Sequence, residues 1–185
     1  MIDFAILALP RGGTTWAANW LTGYRHICLH DPLQHYTQEE LLRWSYRNPK
    51  ETGVSCTGLW MHPEWVETHI RRWIIIDRPV HEVQSSLFQI GLPPMGEQAI
   101  ERFRAMPGRR FQMTDLFKPE SASEIQRLLM PHHPFDIDRH RELCKMEVNP
   151  RFQNIHPDPA AVKQWMQRAI DAFNPQTQSA PRERS

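Results

Sequence analysis

The 185-residue sequence is poor in the residues that would place it in a specialised class, with 8 glycines against 16 prolines, and only 3 cysteines. Cys28, Cys56 and Cys144 are odd in number and far apart. They form neither a disulfide framework nor a Cys-x-x-Cys metal site, and this usage fits a reducing, cytoplasmic compartment. No excess of one charge sign exists either, because 22 basic and 21 acidic side chains leave a net charge of +1. A general nucleic-acid binder, which needs many Lys and Arg at phosphates, is not expected. No apolar run approaches the roughly 20 residues of a membrane-spanning helix, so no membrane partner is expected. The start, Met1-Ile2-Asp3-Phe4, has no basic region and its apolar stretch ends at Pro10, so it does not read as a signal peptide.

What is present is ordinary bulk with two oddities. Hydrophobic residues make up 40% and charged residues 23%, within the range of globular domains. A chain of this length supports one domain, expected over residues 1–173, followed by a flexible tail over 174–185 that lacks apolar periodicity. The 16 prolines promise many rigid element boundaries, and 7 tryptophans supply large flat packing surfaces.

Short apolar runs alternate with longer amphipathic stretches. This is the signature of an α/β fold with a central, mainly parallel sheet flanked by helices. Residues 4–9 (FAILAL) and 73–76 (WIII) read as strands buried on both faces. Weaker strands are expected at 26–29, 54–57 and 111–113. Helical patterning covers 15–24, 37–46, 63–71, 80–90, 97–106, 121–130, 138–146 and 165–173. Thr37 with Glu40, and Ser121 with Glu124, have capping-box spacing.

Chemistry concentrates first in Pro10-Arg11-Gly12-Gly13-Thr14-Thr15-Trp16, between a buried strand and a helix. There, successive backbone N–H groups can cradle an anion. The spacing is close to G-x-x-x-x-G-K-[ST], but Ala8 stands at the first glycine and Thr14 at the lysine that a nucleoside-triphosphate enzyme places on its phosphates. The nearest cation is Arg11. A second segment follows the strand at 73–76, where Arg78 and, two helical turns on, Ser86 can converge on one phosphate.

Both segments resemble the sulfotransferase family. The first is similar to its 5′-phosphosulfate loop, with Gly12 in place of Ser. The second matches the 3′-phosphate motif at Arg78, Glu82, Val83 and Ser86, most closely in its bacterial form. A softer resemblance runs through Met113-Thr114-Asp115-Leu116-Phe117, Pro134-Phe135-Asp136 and Val148-Asn149-Pro150. The family's glycine-rich segment near the C-terminus is not evident, and Arg151 is the residue that could take its place. The resemblance spans residues 4–150 discontinuously and implies a compact bacterial- or phage-type member with an α/β, three-layer P-loop-like fold, a central mainly parallel sheet flanked by helices.

Such an enzyme would move a sulfuryl group from 3′-phosphoadenosine 5′-phosphosulfate (PAPS, leaving PAP) to a hydroxyl of a small molecule or glycan. The resemblance implies nucleotide contacts from Arg11, Gly12, Gly13, Thr14, Thr15, Trp16, Arg78 and Ser86. Arg11 would also stabilise charge during transfer. The family's catalytic His has no counterpart in Ser55-Cys56-Thr57. Instead, His30-Asp31-Pro32 resembles a His-Glu-Pro segment of other branches, which makes Asp31 the first candidate base and His30 the second. No metal is expected, and His62, His69, His132 and His133 read as surface or packing residues. Trp16 and Trp20 read as core, Trp60 and Trp65 as flanking an acceptor cleft, and Arg102, Arg104, Arg109 and Arg110 as a solvated face able to attract an anion. The alternatives are a non-catalytic nucleotide-binding module and a P-loop small-molecule kinase. The oligomeric state stays open.

Overall fold

Phe4–Ala8 (β1) is buried along its whole length, and its side chains alternate between two separate cores. Phe4, Ile6 and Ala8 face one core, while Ala5 and Leu7 face the other. A continuous apolar run can only be satisfied this way, at the centre of a sheet covered on both faces. In the computed structural model, which describes residues 1–146, β1 is the middle strand of a five-stranded, all-parallel sheet of order β2-β3-β1-β4-β5. The other strands are His26–His30 (β2), Glu51–Cys56 (β3), Trp73–Asp77 (β4) and Arg109–Gln112 (β5).

Helices occupy both faces. Thr14–Trp20 (α1), Pro119–Leu129 (α6) and Ile137–Lys145 (α7) pack on the face of Phe4, Ile6 and Ile74. Gln38–Arg47 (α2), Pro63–His69 (α3), Val80–Gln89 (α4) and Glu97–Ala105 (α5) place Leu41, Val66, Val83 and Phe103 on the opposite face. The fold is therefore three-layered α/β, and no helix among the described residues is long and apolar enough to cross a membrane.

Some elements differ from their sequence signals. β3 begins at Glu51, three residues before the expected 54, because pairing with β2 on one side and β1 on the other extends a segment of weak propensity. Gly53 lies opposite Phe4, and any side chain there would collide with the Phe4 ring. β5 starts two residues early, at Arg109, and Met113 belongs to a 3-10 turn. α1 stops at Trp20, short of the expected 24, with its C-cap at Leu21. α2 is capped as its spacing predicts, with Thr37 accepting from the Glu40 N–H and Glu40 accepting from the Thr37 N–H. The Ser121 cap is not formed: α6 starts at Pro119, and Glu124 pairs with Arg109 instead. Proline suits that first helical position, where its missing N–H would have no partner. The helix expected at 165–173, the tail, Val148-Asn149-Pro150 and Arg151 lie outside the described residues.

Candidate active site

The strand order reverses between β1 and β4, and the helices that follow these two strands leave to opposite faces. The crevice above such a point is where open α/β sheets bind ligands. Both chemistry-bearing segments end there, the loop at residues 9–13 after β1 and Arg78 after β4.

The loop is tightly made. Gly12 donates its N–H to the Leu9 carbonyl at 3.0 Å, and a Cβ on Gly12 would stand 2.8 Å from both Ala8 Cβ and that carbonyl oxygen. Gly13 has φ of +85°, a left-handed conformation natural only to glycine. Arg11 takes φ of +65° despite carrying a side chain, which costs roughly 1–2 kcal/mol. Two contacts hold it there. Its Nε donates to Ser86 Oγ at 2.9 Å, and its carbonyl accepts from Arg78 Nη1 at 2.7 Å. Arg78 also pairs through Nε with Glu82 at 3.1 Å. The residues that the sequence marks as two motifs thus form one connected group, with spare donors on both guanidinium groups.

The hydroxyls of Thr14 and Thr15 lie 3.2 and 3.1 Å from Nε2 of His30, at the end of β2. The same nitrogen lies 3.2 Å from Asp31 Oδ2. A carboxylate oxygen only accepts, so this contact requires the proton of a neutral His30 to sit on Nε2 and leaves the lone pair on Nδ1. Asp31 is buried, with φ of +40°, and its Oδ1 accepts from the Thr57 N–H at 2.6 Å and the Thr57 hydroxyl at 3.0 Å. His30 keeps 38% of its side-chain surface exposed, whereas Asp31 keeps 10%.

The chain yields no match when compared with protein-family models, with curated proteins or with solved structures. Fold and site therefore rest on their own geometry.

Thr57 carries no functional signal by residue type alone; the clue in the sequence is its position just past the end of β3, on the same sheet edge as the loop. Trp16, expected beside the nucleotide, is 4% exposed and packs among Trp20, Phe117 and His140. Its indole N–H donates to the Leu143 carbonyl at 3.3 Å, so the ring belongs to the core. Trp60 is likewise buried, stacked edge-on against Phe103. Among the described residues no cluster of His, Cys, Asp and Glu could hold a metal. Cys56, beneath Asp31 at the end of β3, is a neutral thiol, its pKa pushed up to about 12 by burial and then by the Asp31 charge. Burial also raises the Cys28 thiol pKa.

Proposed function

We propose that this chain is a sulfotransferase that uses 3′-phosphoadenosine 5′-phosphosulfate and passes its sulfuryl group to a hydroxyl acceptor. The observation that carries the reading is the Ser86–Arg11–Arg78 group, which joins a glycine-rich loop to a second phosphate-competent arginine. The donor set suits a strongly anionic ligand such as this donor: the loop N–H groups, Arg11, Arg78 and Ser86 meet at one edge of the sheet, and the Glu82 carboxylate is neutralised by its pair with Arg78. Thr14 at the position of a catalytic lysine, its hydroxyl already against His30, argues against an ATP-dependent kinase.

The bound donor supplies an activated sulfur with adenosine 3′,5′-bisphosphate as leaving group. The acceptor oxygen forms its bond to sulfur as the sulfur–phosphate oxygen bond breaks, and the acceptor proton must go to a base. His30 takes that role in this reading, receiving the proton at Nδ1. Asp31 moves from first candidate base to positioning residue, because one of its oxygens is doubly occupied by Thr57 and the other faces His30 Nε2. Its carboxylate also stabilises the imidazolium that forms. Arg11 and the loop N–H groups balance charge on the departing phosphate.

Calorimetry with adenosine 3′,5′-bisphosphate tests the site. The wild type should bind, and Arg78→Ala should bind at least tenfold more weakly. No binding by the wild type overturns the reading. Transfer of labelled sulfate from the donor to a panel of hydroxyl compounds tests the reaction; tight binding with no product across the panel identifies a binding module instead.

A further inference from the structure

A cavity of about 350 Å³ opens at the carboxyl ends of β4 and β5, on the α5 side of Arg78. This volume lies at the lower end of the range for small-molecule sites. Its walls are mixed. Ile100 and Phe103 from α5, Val80 from α4 and Leu9 contribute apolar side chains, Gln112 and Asp77 polar ones, and Arg78, Arg104 and Arg110 cations.

The cations are not equivalent. Arg110 is consumed by the fold: Nη1 pairs with Asp77 at 2.8 Å, and Nη2 donates to the carbonyls of Phe103, Arg104 and Met106, closing the end of α5. That pair also neutralises Asp77, the acidic residue of the lining. Arg78 keeps Nη2 after serving Glu82 and the Arg11 carbonyl. Arg104 is exposed, and among the described residues its guanidinium has no hydrogen bond or ion pair. The lining therefore holds spare cationic donors on Arg78 and Arg104 with no unpaired acid to answer them.

From this arrangement we infer that the cavity binds a small anion carried on a flat apolar body, such as an aromatic ring bearing a phosphate or carboxylate, with Arg104 as its anchoring cation. The apolar walls take the ring, and Arg104 with Nη2 of Arg78 takes the anionic group. The inference rests on the cavity and its charges, and it stands whether or not the sulfotransferase reading does.

The test is calorimetric titration of the full chain with phenyl phosphate, with inorganic phosphate as the comparison. Saturable binding of phenyl phosphate is expected, at least tenfold tighter than inorganic phosphate because the ring contributes. Arg104→Ala should weaken it at least tenfold. Among the described residues its side chain makes no hydrogen bond or ion pair, and its backbone carbonyl, which accepts from Arg110, is kept in the variant, so the thermal midpoint should stay at the wild-type value. Val80→Phe, which fills the cavity from the α4 side, should abolish binding, and Arg127→Ala, an exposed arginine on α6 outside the lining, should leave it unchanged. An Arg104→Ala affinity equal to wild type, loss of binding in Arg127→Ala, or no saturable binding at all would overturn the inference. Saturating adenosine 3′,5′-bisphosphate then separates two sources of the same chemistry. Displacement of phenyl phosphate assigns the cavity to the ring-bearing phosphate of a nucleotide, and simultaneous occupancy assigns it to a separate small anion.

Discussion

Arg11 donates from Nε to the hydroxyl of Ser86 at 2.9 Å, across 75 residues of chain. This bond ties the loop after β1 to α4, the helix after β4, and Arg78 reinforces it from below by holding the Arg11 carbonyl. A loop residue in a left-handed conformation is thereby fixed at both its side chain and its backbone. Pre-set donors cost less to order when an anion arrives, which is why the contact matters for binding.

Replacing Ser86 with Ala removes a neutral partner of a charged donor. Such bonds contribute about 1.5–3 kcal/mol, so affinity for adenosine 3′,5′-bisphosphate should fall about tenfold or more. Arg11→Ala should cost more. Because the two side chains share one contact, the double variant should lose less than the sum of the single losses in calorimetry. Strictly additive losses would show that they act separately.

At position 11 the backbone and the side chain can be tested apart. Arg11→Gly and Arg11→Ala both remove the guanidinium and should lose ligand affinity equally. Glycine accepts φ of +65° without a Cβ penalty, so the Gly variant should be more stable than the Ala variant by about 1 kcal/mol in urea denaturation. Equal stability would mean that the loop changes shape once the arginine is gone.

Thr57 holds Asp31, and Asp31 faces His30. Thr57→Val keeps the backbone N–H and removes the hydroxyl, so Asp31 retains one of the two donors on Oδ1. In the proposed sulfuryl transfer kcat should drop roughly tenfold, by about 1.4 kcal/mol, with KM for the donor unchanged. Thr57→Ser, which keeps the hydroxyl, should restore kcat. A change confined to KM would remove Thr57 from the positioning chain.

Gly53 sits on β3 directly opposite Phe4, under its ring. Gly53→Ala forces that buried ring aside and should cost roughly 1–3 kcal/mol, read as a lower denaturation midpoint. Phe4→Leu in the same chain should recover part of the loss by vacating the space. A Gly53→Ala protein as stable as wild type would mean that the ring has room to turn.

His26 and His62 are both held below the ordinary histidine pKa, chiefly by burial. For His26, the neighbouring His133 adds to the lowering and Glu51 opposes it. The Nδ1 of His26 is buried and has no hydrogen-bond partner among the described residues. Because the unfolded chain binds these protons more readily, stability should fall as pH drops from about 6.5 toward the lowered folded values. Urea denaturation between pH 5 and 8 should show this slope, and His26→Leu should flatten it. A His26→Leu variant with the full wild-type slope would place the titration elsewhere.

The strands at 4–9 and 73–76 were legible in the sequence because a continuous apolar run has one low-energy solution, burial on both faces of a parallel sheet. The Thr37–Glu40 cap was legible because its partners lie three residues apart. The meeting of the loop with Arg78 was legible because both follow strands of one parallel sheet, whose carboxyl ends lie at the same edge. Three features were decided only when the chain closed. β3 owes Glu51, Thr52 and Gly53 to its two neighbours, since an interior strand is held by hydrogen bonds on both sides whatever its own propensity. The partner of the Trp16 indole N–H was decided by α7, whose Leu143 carbonyl accepts it from 127 residues along the chain. The order of His30, Asp31 and Thr57 also could not be read from spacing, because it depends on which carboxylate oxygen a residue 26 positions away captures. Local pattern is written in neighbours along the chain, whereas the direction of a side chain is set by neighbours across it.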